Sequence, residues 1–223
     1  VQDSKLARSA KVTALLQVAA YAQRLSELGV AVDDEVDLIL GDHSISTHAV
    51  DDLLPGWACG SDEVLDALLH DVPWRAERRR MYDSVVDVPR LTCFYAAGES
   101  LPHPMLTDMR EQLSAHYATE LGEPFVTAGL CLYRDGQDSV AWHGDRIGRS
   151  REQDTMIAIV SLGSARHLCL RPREGGPSQR VALGHGDLVV MGGACQRTWE
   201  HAVPKVRAAG PRMSVQFRPP GVW

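Results

Sequence analysis

The sequence predicts an α+β protein: a β-rich core of the sandwich or jelly-roll kind, preceded by helices. Three observations predict it. From Phe125 onward, eight short apolar or alternating runs recur between Gly, Pro and Asp turns. Ahead of that point the apolar residues recur at helical spacing. And 223 residues, 44% apolar and 23% charged, suffice for one medium domain, or a domain plus a fragment, with a sizeable core.

Taken in order, Leu6, Leu15, Leu16, Ala19, Ala22 and Leu25 place a helix over 5–28, stopped by Gly29. Residues 36–40 read as a short strand, so 1–50 form a short α/β segment. Residues 43–52 are polar, lack a period and read as a linker. A second unit, 53–223, opens at Leu53-Leu54-Pro55-Gly56-Trp57. In it Ser61 reads as the N-cap of a helix over 62–70, with Leu65, Leu68 and Leu69 on the apolar face. Another helix covers 105–121 and ends at Gly122. The eight strands follow at 128–133, 140–143, 155–161, 167–171, 179–183, 188–191, 198–203 and 212–218.

Charge narrows the function without settling it. The net charge of -6 argues against a generic nucleic-acid binder. The charge is uneven, though: 1–52 hold four basic and nine acidic side chains, whereas 53–223 are nearly neutral, and 18 of their 19 basic residues are Arg. Arg grips phosphate and carboxylate with a planar fork, so the larger unit stays open to an anionic substrate. A GC-rich genome would produce the same Arg count. Five scattered cysteines with no Cys-x-x-Cys pair exclude a zinc ribbon and a disulfide scaffold. They predict a reducing, cytoplasmic setting. No apolar run is long enough to span a bilayer. The chain opens Val1-Gln2-Asp3, with neither a Met nor a signal-peptide pattern, which predicts a part of a longer or trimmed product.

Chemistry enters at Trp142-His143-Gly144-Asp145. On a strand, residues i and i+2 share a face, so His143 and Asp145 can offer a nitrogen and a carboxylate oxygen to one metal. A His from another strand would complete two His and one carboxylate, leaving three positions open, which suits non-haem Fe(II). His167, His185 and His201 are the candidates. The triplet recurs at His185-Gly186-Asp187. That copy sits where a turn is needed before the strand 188–191, and a longer polar loop after the first copy suits a substrate opening. Spacing therefore favours the first. On the last strand, Arg212, Ser214, Gln216 and Arg218 alternate onto one face. Burying two Arg there is costly without an anion to meet them.

Together these residues resemble the AlkB family of Fe(II)- and 2-oxoglutarate-dependent dioxygenases. The matching stretches include Val88-Pro89-Arg90-Leu91-Thr92, Leu132-Tyr133-Arg134-Asp135-Gly136, His143-Gly144-Asp145, Trp199-Glu200-His201 and Arg212 to Arg218, in family order over 53–223. The resemblance implies a double-stranded β-helix (jelly roll). It also implies Fe(II) held by His143, Asp145 and His201, and 2-oxoglutarate met by Arg212 and Tyr133. Arg218 would lie near the chelating end, and Ser214 and Cys131 stand where the family has Asn. The implied reaction is oxidative demethylation of 1-methyladenine and 3-methylcytosine in DNA with O2, releasing succinate, CO2 and formaldehyde. The base must be single-stranded or flipped out of a duplex. A monomer acting on DNA, or on RNA, is expected, with no membrane partner. Two alternatives stand beside it: the same chemistry on RNA or protein, and a nucleic-acid-binding module with little turnover. Two departures touch the substrate side. Arg146 replaces a family acidic residue, and the segment 96–104 is short and lacks an aromatic. Tyr95 is the nearest candidate base-stacker, with a core role the plainer reading. The arginines Arg75, Arg78, Arg79 and Arg80, ahead of Met81-Tyr82, are candidate phosphate contacts or a solvated run.

Residues 1–50 do not resemble that family. Asp3-Ser4-Lys5, a helix carrying Gln17 and Tyr21, and a following strand resemble the end of a RecB-like PD-(D/E)xK nuclease core. The further acidic ligands are missing, so the resemblance implies an inactive fragment.

Overall fold

Side chains on a strand alternate between two faces, and the central strands of this chain bury both. The computed structural model describes residues 35–39, 45–49, 60–81, 84–144, 153–193 and 195–222. After a hairpin of β1 (Glu35–Ile39) and β2 (Ile45–Ala49) come α1 (Ser61–Asp71), β3 (Arg75–Met81), β4 (Ser84–Tyr95), α2 (Pro104–His116) and α3 (Ala118–Leu121). Then follow β5 (Thr127–Tyr133), β6 (Val140–His143), β7 (Ile157–Gly163), β8 (Arg166–Pro172), β9 (Gln179–Leu183) and β10 (Leu188–Met191). The short α4 (Cys195–Thr198), β11 (Trp199–Val203) and β12 (Arg212–Arg218) close the described chain.

A six-stranded sheet runs β10-β7-β12-β5-β4-β3 and a four-stranded sheet runs β6-β11-β8-β9, both antiparallel. This is the jelly-roll core with helices that the sequence predicts. One face of the larger sheet carries Leu130, Val160, Met213, Val215 and Phe217 against Val64 and Leu68 of α1 and Leu106, Met109 and Leu113 of α2. The other face carries Cys131, Tyr133, Ile157 and Ile159 against Leu168, Leu183 and Val203 of the smaller sheet. Adjacent residues of β5 and of β7 thus serve different cores, and every residue of β5 is buried.

Arg166 locks the loop that leads from β5 to β6. It is buried, and its guanidinium donates to the carbonyls of Asp135 (3.0 Å), Asp138 (2.9 Å) and Pro204 (2.7 Å). Three backbone acceptors offset much of the cost of burying that cation.

The structure corrects the sequence reading in several places. The residues read as a polar linker include β2, which pairs with β1. Gly60, not Ser61, caps α1, in a left-handed conformation (φ 91°), and Ser61 is the buried first residue of the helix. The helix predicted over 105–121 breaks at Tyr117 into α2 and α3. β3 and β4, a long hairpin, were not predicted as strands. The helix over 5–28, with Asp3, Lys5, Gln17 and Tyr21, lies outside the described residues, so the nuclease resemblance gains no structural support.

Phe217 is fully buried between the sheet and the helices, whereas Phe94 on β4 is 44% exposed. Phe217→Ala is expected to cost about 3–5 kcal/mol of unfolding free energy. Phe94→Ala is expected to stay within about 0.5 kcal/mol. Denaturant titration of the two variants checks the contrast.

Candidate functional site

His143 ends β6 and His201 lies at the centre of β11, and the two are directly opposite in the antiparallel register. Cross-strand partners point to the same face, and their rings lie 4.3 Å apart between centroids, tilted by 52°. The Nδ1 of His143 lies 2.8 Å from the Ala141 carbonyl. A carbonyl only accepts, so this nitrogen carries the proton and the lone pair sits on Nε2. A histidine oriented this way by a backbone acceptor is set to bind a metal through its other nitrogen. His201 is buried. Asp145 and Arg146 lie outside the described residues, and among the described residues no group of three metal-ligating side chains forms.

Gly144 directly follows β6. A Cβ there would overlap the Arg173 guanidinium, which pairs with Glu200 (3.1 Å), the neighbour of His201. Glu200 also accepts from Arg171 (2.8 Å), whose guanidinium lies over the Trp142 ring at 4.3 Å. This network spans β6, β8 and β11 around the two histidines.

The other histidine candidates point elsewhere. His185 Nδ1 accepts the Gly163 amide (2.8 Å), and its Nε2 lies 3.3 Å from the Asp62 carboxylate. Gly184–Asp187 is a turn in which Asp187 accepts the Gly184 amide at 2.5 Å. His167, on β8 between the buried Arg166 and Leu168, is exposed and does not line the cavity described below.

The two histidines open onto a cavity of about 330 Å³ between the sheets. Its described lining includes Arg90, Arg212 and Arg218 and no carboxylate. Arg212 is 2% exposed. Its Nε donates to Ser161 Oγ (3.1 Å), and its guanidinium stacks 5.1 Å from the Tyr133 ring centroid. No acidic side chain among the described residues pairs with it. Burial holds its pKa below the ordinary arginine value, with Tyr133 opposing that shift. Such a cation is matched to a small carboxylic acid entering from the cavity. Tyr133 is itself buried, and burial pushes its phenol up to about 12 against the pull of Arg212, Arg90 and Arg166. It stays a protonated donor at neutral pH.

Sequence reasoning brought together His143, His201, Tyr133, Arg212, Ser214 and Arg218, and all six line this cavity. It missed Arg90 and the role of Gln216. Gln216 Nε2 donates to Ser214 Oγ (2.7 Å) and lies 3.6 Å from Cys131 Sγ, while its Oε1 accepts from Arg218 Nη2 (3.1 Å). A side-chain amide thus reaches both positions where Cys131 and Ser214 depart from the expected Asn. The signal was in the strict alternation of β12. Tyr95 packs against the helix-side core, as its plainer reading had it.

The family model of the 2OG-Fe(II) oxygenase superfamily matches residues 60–218. The chain is 31% identical over 182 residues to the human alpha-ketoglutarate-dependent dioxygenase alkB homolog 3, covering 71% of this chain and 61% of that protein. It is 29% identical over 192 residues to the DNA oxidative demethylase ALKBH2 of Arabidopsis thaliana, covering 69% and 60%. The chain therefore spans about six tenths of the length of these curated relatives. An oxidoreductase of the 2OG-Fe(II) oxygenase family from Burkholderia pseudomallei shares the fold, with a TM-score of 0.51 at 17% identity over 90% of this chain and 89% of that one.

If the paired histidines hold the metal, His143→Ala and His201→Ala should each weaken Mn(II) binding at least about tenfold in calorimetric titration, the scale of losing a coordinating group. His185→Ala should leave it within about threefold, since its contacts close a turn. The reverse ranking would move the site to the second triplet.

Proposed function

The chain belongs to the 2OG-Fe(II) oxygenase superfamily, which uses Fe(II) and 2-oxoglutarate, and from that premise we propose that it removes N-linked methyl groups from nucleic-acid bases by oxidation. The observation that carries the reading is the His143–His201 pair opening onto an arginine-lined cavity with a buried, carboxylate-free Arg212. The relative from Arabidopsis, a DNA oxidative demethylase by name, supports the substrate class.

The residues present fit the group. His143 and His201, with Asp145 as third ligand, would hold Fe(II), and Arg212 would take the distal carboxylate of 2-oxoglutarate in a two-pronged ion pair. Fe(II), 2-oxoglutarate and O2 supply the chemistry: the methyl carbon is oxidised and leaves as formaldehyde, with succinate and CO2 as the other products. The chain's own side chains bind and orient. Tyr133, held neutral by burial, donates a hydrogen bond to the cosubstrate. Gln216 and Ser214 form the polar floor that the expected Asn residues would have made. Arg218, bonded to Gln216, stands between this cavity and the outer surface of β4 and β5. The substrates expected on this reading are 1-methyladenine and 3-methylcytosine in single-stranded or flipped-out DNA. Lesions that block pairing lower the cost of exposing the base.

The test is release of succinate and formaldehyde from N-methylated single-stranded DNA with Fe(II), compared with methylated RNA and a methylated peptide. Equal amounts of the two products, dependent on 2-oxoglutarate, are expected from DNA. Arg212→Ala should raise the 2-oxoglutarate concentration needed for half-maximal rate by at least about tenfold, because it removes a charge-assisted pair in a buried site. Arg212→Lys should recover part of that loss, since it restores charge without the fork. An unchanged requirement in Arg212→Ala would remove Arg212 from the cosubstrate site.

A further inference from the structure

The strand that ends in His143 does not run in regular register. β6 is an edge strand of the smaller sheet, and on β11 His201 faces His143 while Val203 faces Val140. Ala141 and Trp142 therefore stand opposite the single residue Ala202, which makes a β-bulge on β6. Strict alternation would send Val140 and His143, three residues apart, to opposite faces. Both line the cavity. The extra residue is what turns His143 inward. With Val140 kept opposite Val203, a regular strand would set Trp142 opposite His201 and His143 opposite Glu200, on the outer face.

A bulge interrupts the ladder, so other contacts have to hold its form. Inside the bulge, His143 Nδ1 donates to the Ala141 carbonyl (2.8 Å). Ahead of His143, the Trp142 ring lies under the Arg171 guanidinium at 4.3 Å. Behind it, the Arg173 guanidinium packs against Gly144 so closely that only glycine fits. Both arginines converge on Glu200. Arg171 donates to its Oε2 from Nε (3.1 Å) and Nη2 (2.8 Å), and Arg173 donates to its Oε1 from Nη1 (3.1 Å). The Glu200 and Arg173 side chains are only 22% and 17% exposed, so their pairing is screened far less than a surface ion pair. Glu200 directly precedes His201 on β11. One carboxylate thus ties the strand of one histidine to the residues on either side of the other.

We propose that Glu200 is a positioning residue for the metal site: through Arg171 and Arg173 it holds the β6 bulge in the form that turns His143 toward His201. The proposal rests on the reading that these two histidines hold the metal.

The test is calorimetric titration of the full chain with Mn(II), beside the visible absorption of the Co(II)-loaded protein, whose bands report ligand geometry. Glu200→Ala should weaken Mn(II) binding at least about tenfold, the scale for groups that orient a metal ligand. Glu200→Gln keeps an acceptor for one guanidinium and loses the charge. It should weaken binding at least about threefold and change the Co(II) bands, and it decides the matter if Glu200→Ala does not fold. Arg173→Met should weaken binding too. Combined with Glu200→Gln it should cost less than the product of the two single losses, because the groups act as one unit. Unchanged affinity and bands in Glu200→Gln, independent losses in the double variant, or a fall in Tm with no change in metal binding would overturn the proposal. His143→Ala separates the two readings. If it binds Mn(II) as wild type does, the metal-site reading fails and the proposal with it. If it loses binding while the Glu200 variants keep it, only the positioning role is overturned.

Discussion

Burying the Arg212 guanidinium is the constraint from which the arrangement of the site follows. An isolated buried cation costs several kcal/mol even after relaxation, of the order of a whole domain's stability. The chain offsets this locally with the Ser161 hydroxyl and the Tyr133 ring, and supplies no acidic side chain among the described residues. The charge is left for something that enters the cavity. The same need explains why β12 sits between β7 and β5: Arg212 lies opposite Gly163 on one side and Tyr133 on the other, and the next residue of its row, Ser214, lies opposite Ser161 and Cys131.

β12 also shows how one strand serves two purposes. Arg212, Ser214, Gln216 and Arg218 form a polar row on the cavity side. Met213, Val215 and Phe217 are fully buried against the helices. A shift of register by one residue would exchange the rows and put guanidinium groups into the apolar core. The apolar packing of the helix layer therefore fixes the geometry of the polar face, and stability and site share the same hydrogen-bonded ladder. On the opposite wall, the smaller sheet sets the two histidines across from each other by register.

Much of this was legible. Strands β6, β9, β10 and β12 have the limits that alternation and turn residues predict, because each is bounded by Gly, Pro or Asp and one face of each is in the core. β3 was hidden because it is an edge strand reading Arg-Ala-Glu-Arg-Arg-Arg-Met, and a charged edge has no apolar period to find. β2 was hidden for a like reason: Ile-Ser-Thr-His-Ala carries little apolar signal, and its partner makes it a strand. At the site, the pairing of His143 with His201 is a matter of tertiary register that no local pattern encodes. The spacing left three histidines open, and the resemblance of the flanking residues singled out His201.

Thermal unfolding of the Mn(II)-loaded protein, with and without 2-oxoglutarate, tests the role of the buried cation most directly, because a ligand that binds only the folded state raises Tm. Arg212→Met, close in size and uncharged, is the informative variant. 2-Oxoglutarate is expected to raise the Tm of wild type and not that of the variant. The unliganded variant is expected to melt at or above wild type, since it no longer buries an unmatched charge. A rise with 2-oxoglutarate that survives in Arg212→Met would contradict the account, as would a variant that melts well below wild type in the absence of ligand.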